Sequence, residues 1–160
     1  RHNPASARVP GRTVSEDLMI HDSDILLNLF GEPSAIHSAG NADVCSVLMK
    51  CGNIPVAISA SRKSSKKIRM IYVEEEDFTI EGDFMSQEIT IYRKPGQYQF
   101  EAERYVQENI IEKVMVNKLE PLKRELATFI ECVASRRPFP ITPEQAINNL
   151  RVCEEIQAGL

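Results

Sequence analysis

The sequence predicts an α+β fold, an open, mostly antiparallel β-sheet with helices packed on one face. Three observations predict it. A helical apolar pattern near the start stops at Gly31 and Pro33. About six β-prone runs then follow one another between residues 34 and 94 with only turns between them. Two amphipathic helical patterns close the chain. Strands joined by short turns, with no helix between them, pair antiparallel.

Residues 1–14 hold Pro4, Pro10, Gly11 and three arginines, and read as an extended or irregular lead-in. Leu18, Ile20, Ile25, Leu26, Leu29 and Phe30 then recur at roughly helical spacing. That places a helix from about Ser15 or Asp22 to Phe30, stopped by Gly31 and Pro33. Ser34 to Ser38 is a short strand. Val44 to Cys51 and Ile54 to Ala60 flank Gly52-Asn53, a hairpin signal because both turn residues tolerate positive φ. Lys67 to Glu74, Phe78 to Gly82 and Glu88 to Arg93 continue the strands. Pro95 to Tyr105 reads as a loop or another short strand, and Ile110 to Val116 is a late β-prone stretch. Leu119, Leu122, Leu126, Phe129, Ile130 and Val133 form one apolar stripe at helical spacing, with Pro121 in its first turn. Thr142-Pro143-Glu144-Gln145 opens a last helix with a capping box.

Length and composition set the bounds. The chain has 160 residues, 42% of them apolar and 26% charged, enough for one domain with a real core. A formal charge of −4 argues against a nucleic-acid surface, which needs a basic stripe. The densest basic run, Arg62, Lys63, Lys66, Lys67 and Arg69, leads directly into Glu74, Glu75, Glu76 and Asp77, and reads as solvated faces and turns. No apolar run approaches the ~20 residues of a membrane span. Cys45, Cys51, Cys132 and Cys153 form no CxxC and sit beside no histidine at zinc spacing. They read as small buried thiols of a reducing cytoplasm. Apolar side chains on both strand faces leave one sheet face needing cover, and a second subunit would supply it.

The candidate chemistry lies at Asp17, His21 and Asp24. Asp17 and His21 stand four residues apart, one turn on the same helix face if the helix begins by Ser15. A carboxylate beside an imidazole holds its tautomer and raises its proton affinity, as a general acid/base histidine requires. Two other readings stand beside this one. Asp17, Asp22, Ser23 or Asp24 can simply cap the helix, with His21 an ordinary surface residue. Asp17, His21 and Asp24 can also be counted as three metal ligands, although no second histidine supports them. His2 and His37 read as polar decoration. There is no GxGxxG, no GxxxxGK[ST] and no GxSxG, so the chain has no dinucleotide loop and no nucleophile elbow.

Asp17-Leu18-Met19-Ile20-His21-Asp22-Ser23-Asp24 resembles the D-L-x-I-H-D-x-D stretch of the glucose–fructose oxidoreductase, inositol dehydrogenase and MocA family. Glu120-Pro121-Leu122-Lys123-Arg124-Glu125-Leu126, Phe129-Ile130-Glu131-Cys132-Val133 and Pro140-Ile141-Thr142-Pro143-Glu144 resemble the run that closes many members. The resemblance extends from Arg8 onward. It implies the family's C-terminal α+β domain, a dihydrodipicolinate-reductase-like fold. It implies an NAD(P)-dependent oxidoreductase acting on a sugar, nucleotide sugar or polyol. NAD or NADP would be bound mainly by an N-terminal Rossmann domain that these 160 residues do not include. Asp17 and His21 match the family's D-x-x-x-H pair, with His21 the acid/base on the hydroxyl that becomes a carbonyl. The exposed sheet face would form a homodimer or higher oligomer.

Arg1-His2-Asn3-Pro4-Ala5 is similar to the R-F-N-P-A stretch of the subgroup that oxidises nucleotide-linked amino sugars. Asn3, Arg8 and Arg12 are then candidates to face the substrate. The segment from Ala5 to Asp17 is shorter than in the family, and the start at Arg1 suggests a trimmed chain. The expectation is one substrate-binding and oligomerisation domain over residues 1–160, cytoplasmic, with no cofactor or metal of its own and inactive alone. The alternative is a self-association module without catalysis.

Overall fold

The computed structural model describes residues 1–4, 11–94, 98–101, 104–107 and 110–160, with side chains described outside 95–109. The elements follow the expected order. A π-helical turn, Ser15–Met19, runs without a break into α1 (Ile20–Phe30). Six strands follow: β1 (Ala35–Gly40), β2 (Val44–Cys51), β3 (Ile54–Ser61), β4 (Met70–Glu74), β5 (Phe78–Asp83) and β6 (Glu88–Arg93). Then come β7 (Tyr98–Glu101), β8 (Arg104–Gln107), β9 (Ile110–Val114), α2 (Pro121–Ser135) and α3 (Pro143–Ala158). The strands divide into a three-stranded sheet β1-β2-β3, a four-stranded sheet β4-β5-β6-β9 and a β7-β8 hairpin, all antiparallel. The chain forms two compact units, Arg1–Ile68 with Pro121–Leu160, and Arg69–Glu120.

In the first unit, Cys45, Val47, Met49 and Cys51 of β2 alternate buried with exposed neighbours, the period of a half-buried strand. Ile58 and Ala60 of β3 extend the same face. The helices cover it: Leu18 and Met19 from the first helix, Val152 and Ile156 from α3. Met19 and Ile156 are fully buried, each contributing about 1.5–3 kcal/mol of transfer energy. This is the predicted arrangement of helices on one sheet face.

Local chemistry explains the element ends. Cys51 pairs with Ile54, so β2 and β3 are joined by Gly52-Asn53, and Gly52 takes the positive φ (61°) the turn requires. Gly31 ends α1 with φ 76°, and its N–H donates to the Leu27 carbonyl. At α3, Thr142 Oγ1 accepts from Gln145 N and Gln145 Oε1 accepts from Thr142 N, the predicted capping box. The first helix has only half of such a box, since no described side chain accepts from its first backbone N–H groups. Glu16 Oε2 accepts from Thr13 N at 2.9 Å and from Thr13 Oγ1 at 3.0 Å, closing the start of the first helix.

The apolar stripe of α2 is exposed: Leu122, Leu126, Phe129, Ile130 and Val133 each keep more than half of their surface. In the second unit, the register places Ile71, Val73, Ile80, Ile89, Ile91 and Val114 on one sheet face and Tyr72, Glu81, Thr90 and Lys113 on the other. Cys45, Cys51 and Cys153 are buried free thiols, as expected, and Cys132 is half-buried. Among the described residues no helix is long and apolar enough to cross a membrane.

Candidate active site on the first helix

The first helix is pinned against α3. Ser23 is buried on its inner side and donates from its hydroxyl to Asn149 Oδ1 of α3 at 2.7 Å. Asn149 Nδ2 donates to the Ile20 carbonyl at 2.8 Å. Ser15 Oγ donates to Gln157 Oε1 at 3.2 Å. These bonds set the rotation of the helix against α3, which decides where its outer residues stand.

Asp17 lies in the π-helical turn and His21 in the first turn of α1. π-turns inside α-helices are frequent at functional sites. His21 is exposed, and Asp17 is mostly buried with 15% of its side chain accessible. The Asp17 carboxylate is held from the sheet: Arg62 Nη2 donates to its Oδ2 at 3.0 Å. Arg62 follows β3 directly, and only 2% of its side chain is accessible. Its guanidinium also donates to the Arg12 carbonyl (Nη1, 2.7 Å) and the Thr13 carbonyl (Nη2, 2.8 Å).

This corrects the reading of the basic run. Lys63, Lys66 and Lys67 are exposed, but Arg62 is buried and bonded to Asp17. A strand-end arginine beside lysines has the pattern of a solvated face. Only the position of Asp17 across the fold reveals its role.

The other candidates fall out differently. Asn3 is buried, its N–H donates to the Ser61 carbonyl at 2.7 Å, and its buried Oδ1 meets no partner among the described residues. Asn3, Arg12 and Asp17 therefore converge around Ser61-Arg62. Arg12 is exposed and contributes its carbonyl to Arg62. Arg8 lies outside the described residues. Asp22 accepts from Arg1 Nε at 2.6 Å. Asp24 lines a shallow recess with Leu27, Asn28, Gln145 and Asn148. Among the described residues no group of three His, Cys, Asp or Glu side chains is placed to hold a metal ion. That leaves the three-ligand reading of Asp17, His21 and Asp24 without support.

Hydrogen bonds from Thr13 hold the Glu16 carboxyl below the usual carboxylate range. Burial pushes the Cys45, Cys51 and Cys153 thiols up, which keeps them protonated and unreactive.

No protein-family model matches the chain, and no curated protein sequence matches it significantly. Solved structures do. UDP-N-acetylglucosamine 3-dehydrogenase GnnA from Acidithiobacillus ferrooxidans matches at 24% identity with a TM-score of 0.83, covering 100% of this chain and 51% of that one. A second crystal form of the same enzyme gives a TM-score of 0.81. The dehydrogenase MviM from Clostridium difficile matches at 18% identity with a TM-score of 0.66, covering 99% of this chain and 52% of that one. The chain thus spans about half the length of the structures it matches. At these identities the likeness is one of fold, and it is the α+β fold that the oxidoreductase resemblance implies.

Proposed function

We propose that this chain is the substrate-side C-terminal domain of an NAD(P)-dependent oxidoreductase of the glucose–fructose oxidoreductase, inositol dehydrogenase and MocA family. The observation that carries the reading is Asp17 and His21, one turn apart on a helix fixed to both the sheet and α3, in a fold shared along its whole length with GnnA. A sugar or nucleotide sugar is the substrate class, and Asn3, Arg8 and Arg12 are the residues proposed to face it.

His21 is the acid/base. Its imidazole, exposed where a substrate can reach, takes the proton of the hydroxyl that becomes a carbonyl. Asp17 supplies the fixed negative charge that favours the imidazolium as it forms. NAD or NADP would accept the hydride. The residues of this chain do not fit that cofactor, since no described strand leads through a glycine-rich turn into a helix. Its binding is assigned to a dinucleotide-binding domain beyond these residues, and the chain alone is expected to be inactive.

The apolar face of β4-β5-β6-β9, built on Ile71, Val73, Ile80, Ile89 and Ile91, supports a homodimer through the sheet. The unpaired thiols support a cytoplasmic setting. The test is turnover of NAD(P)⁺ with nucleotide sugars by the protein that joins this domain to its cofactor-binding half. His21→Ala and Asp17→Asn should each lower kcat by roughly 10²–10⁴. Unchanged turnover in either variant refutes the assignment. A monomeric mass in sedimentation at micromolar concentration refutes the dimer.

A further inference from the structure

We propose that Arg62 is a positioning residue of this site: it orients the Asp17 carboxylate, and through it His21, from the sheet. The inference rests on the acid/base reading of Asp17 and His21 above. Four observations carry it. Arginine is almost never fully buried without a dedicated partner, yet Arg62 is 2% exposed. Its own backbone is tied into the sheet, because its N–H donates to the Asp43 carbonyl at 2.9 Å. Its two Nη atoms span the Arg12 and Thr13 carbonyls and Asp17 Oδ2. Its buried Nε meets no acceptor among the described residues, so the Nη groups set the orientation.

The consequence is geometric. The two carbonyls belong to the residues that lead into the helix, and the carboxylate belongs to its π-helical turn. One rigid, planar cation therefore fixes both the start of the helix and the rotamer of its acid. On the carboxylate it holds Oδ2. Lysine cannot reproduce this, because a single ammonium cannot span three acceptors in a fixed plane. Supporting groups behind catalytic side chains act in this way: they do not touch substrate, but small displacements of what they hold are costly.

The experiment is a double-mutant cycle in the full-length enzyme, with nucleotide sugar and NAD(P)⁺ as the probe. Arg62→Lys should lower kcat by about 10–100-fold, the scale of a misplacement near 1 Å, with KM within about twofold. In an Asp17→Asn background the same substitution should lower kcat no further, since the acid it positions is gone. Equal losses in both backgrounds, or an unchanged kcat in a folded Arg62→Lys protein, overturn the proposal. Should Arg62→Lys fail to fold, Arg62→Gln, which keeps a planar amide donor, carries the same cycle with the same outcomes. The acid/base reading is scored separately by Asp17→Asn alone. If that variant turns over normally, the reading fails and the Arg62 role falls with it. If it is slow and the cycle is additive, only the Arg62 role fails.

Discussion

Replacing Arg62 with methionine removes a buried cation of similar length without adding a polar group. The cost can be worked from the contacts. Three hydrogen bonds are lost, to the Arg12 and Thr13 carbonyls and to Asp17 Oδ2, at 2.7, 2.8 and 3.0 Å. Bonds to charged groups contribute about 1.5–3 kcal/mol each. They share one group and do not add fully, so the low end of the range applies, near 4 kcal/mol. Breaking a buried ion pair from one side gives the same figure, about 3–5 kcal/mol. Asp17→Asn takes the charge from only one of the three bonds and leaves Arg62 its two carbonyls, so it should cost less, about 2 kcal/mol. Urea unfolding followed by circular dichroism reads both. With a slope of about 2 kcal/mol per molar, Arg62→Met should lower the midpoint by roughly 2 M and Asp17→Asn by roughly 1 M. A midpoint within about 0.5 M of the parent for Arg62→Met, or a larger loss for Asp17→Asn, refutes the reasoning.

Ser23→Ala should destabilise by about 1–3 kcal/mol in the same assay, because it strands Asn149 Oδ1 in the buried α1–α3 contact. Glu16→Gln tests linkage. The Glu16 carboxyl is held low by the Thr13 N–H and hydroxyl, so its stabilisation is present above the ordinary carboxylate range and lost as pH falls through its lowered value. The variant should be less stable than the parent at pH 7 and match it near pH 2; an equal gap at both pH values rules this out. Gly40→Ala should lower stability by at least about 1–3 kcal/mol. Gly40 has φ 145°, and a Cβ there would run into the Val44 carbonyl oxygen. A melting temperature unchanged by this substitution would show that the β1–β2 turn relaxes freely.

Much of the fold could be read directly because it is local. The β2–β3 hairpin follows from Gly52-Asn53 between alternating runs, and its register matches from Val44↔Ser61 to Cys51↔Ile54. The α3 capping box and the Gly31 stop are spelled out over four residues or fewer. Partition of the strands between two sheets was less legible. The runs from β1 to β6 are all short and β-prone, so nothing local separates β3 from β4, and the pairing of β6 with β9 skips two strands. The site divides in the same way. Asp17 and His21 are a local spacing and a recognisable stretch, so the sequence singles them out as candidates. Arg62 is a property of the fold, 45 residues from the carboxylate it binds.

The sequence by itself determined the class, α+β with antiparallel strands, the order of elements, and the pair Asp17 and His21 as the place to look for chemistry. These follow from periodicity, turn residues and short motifs, which act over a few residues. Only the tertiary structure decided that Asp17 is an anchored carboxylate rather than a helix cap, that Arg62 is its anchor, and that Asn3 and Arg12 gather beside it. The reason is desolvation. An isolated arginine and an isolated aspartate are equally content in water, and their pairing acquires meaning only where folding removes water from both.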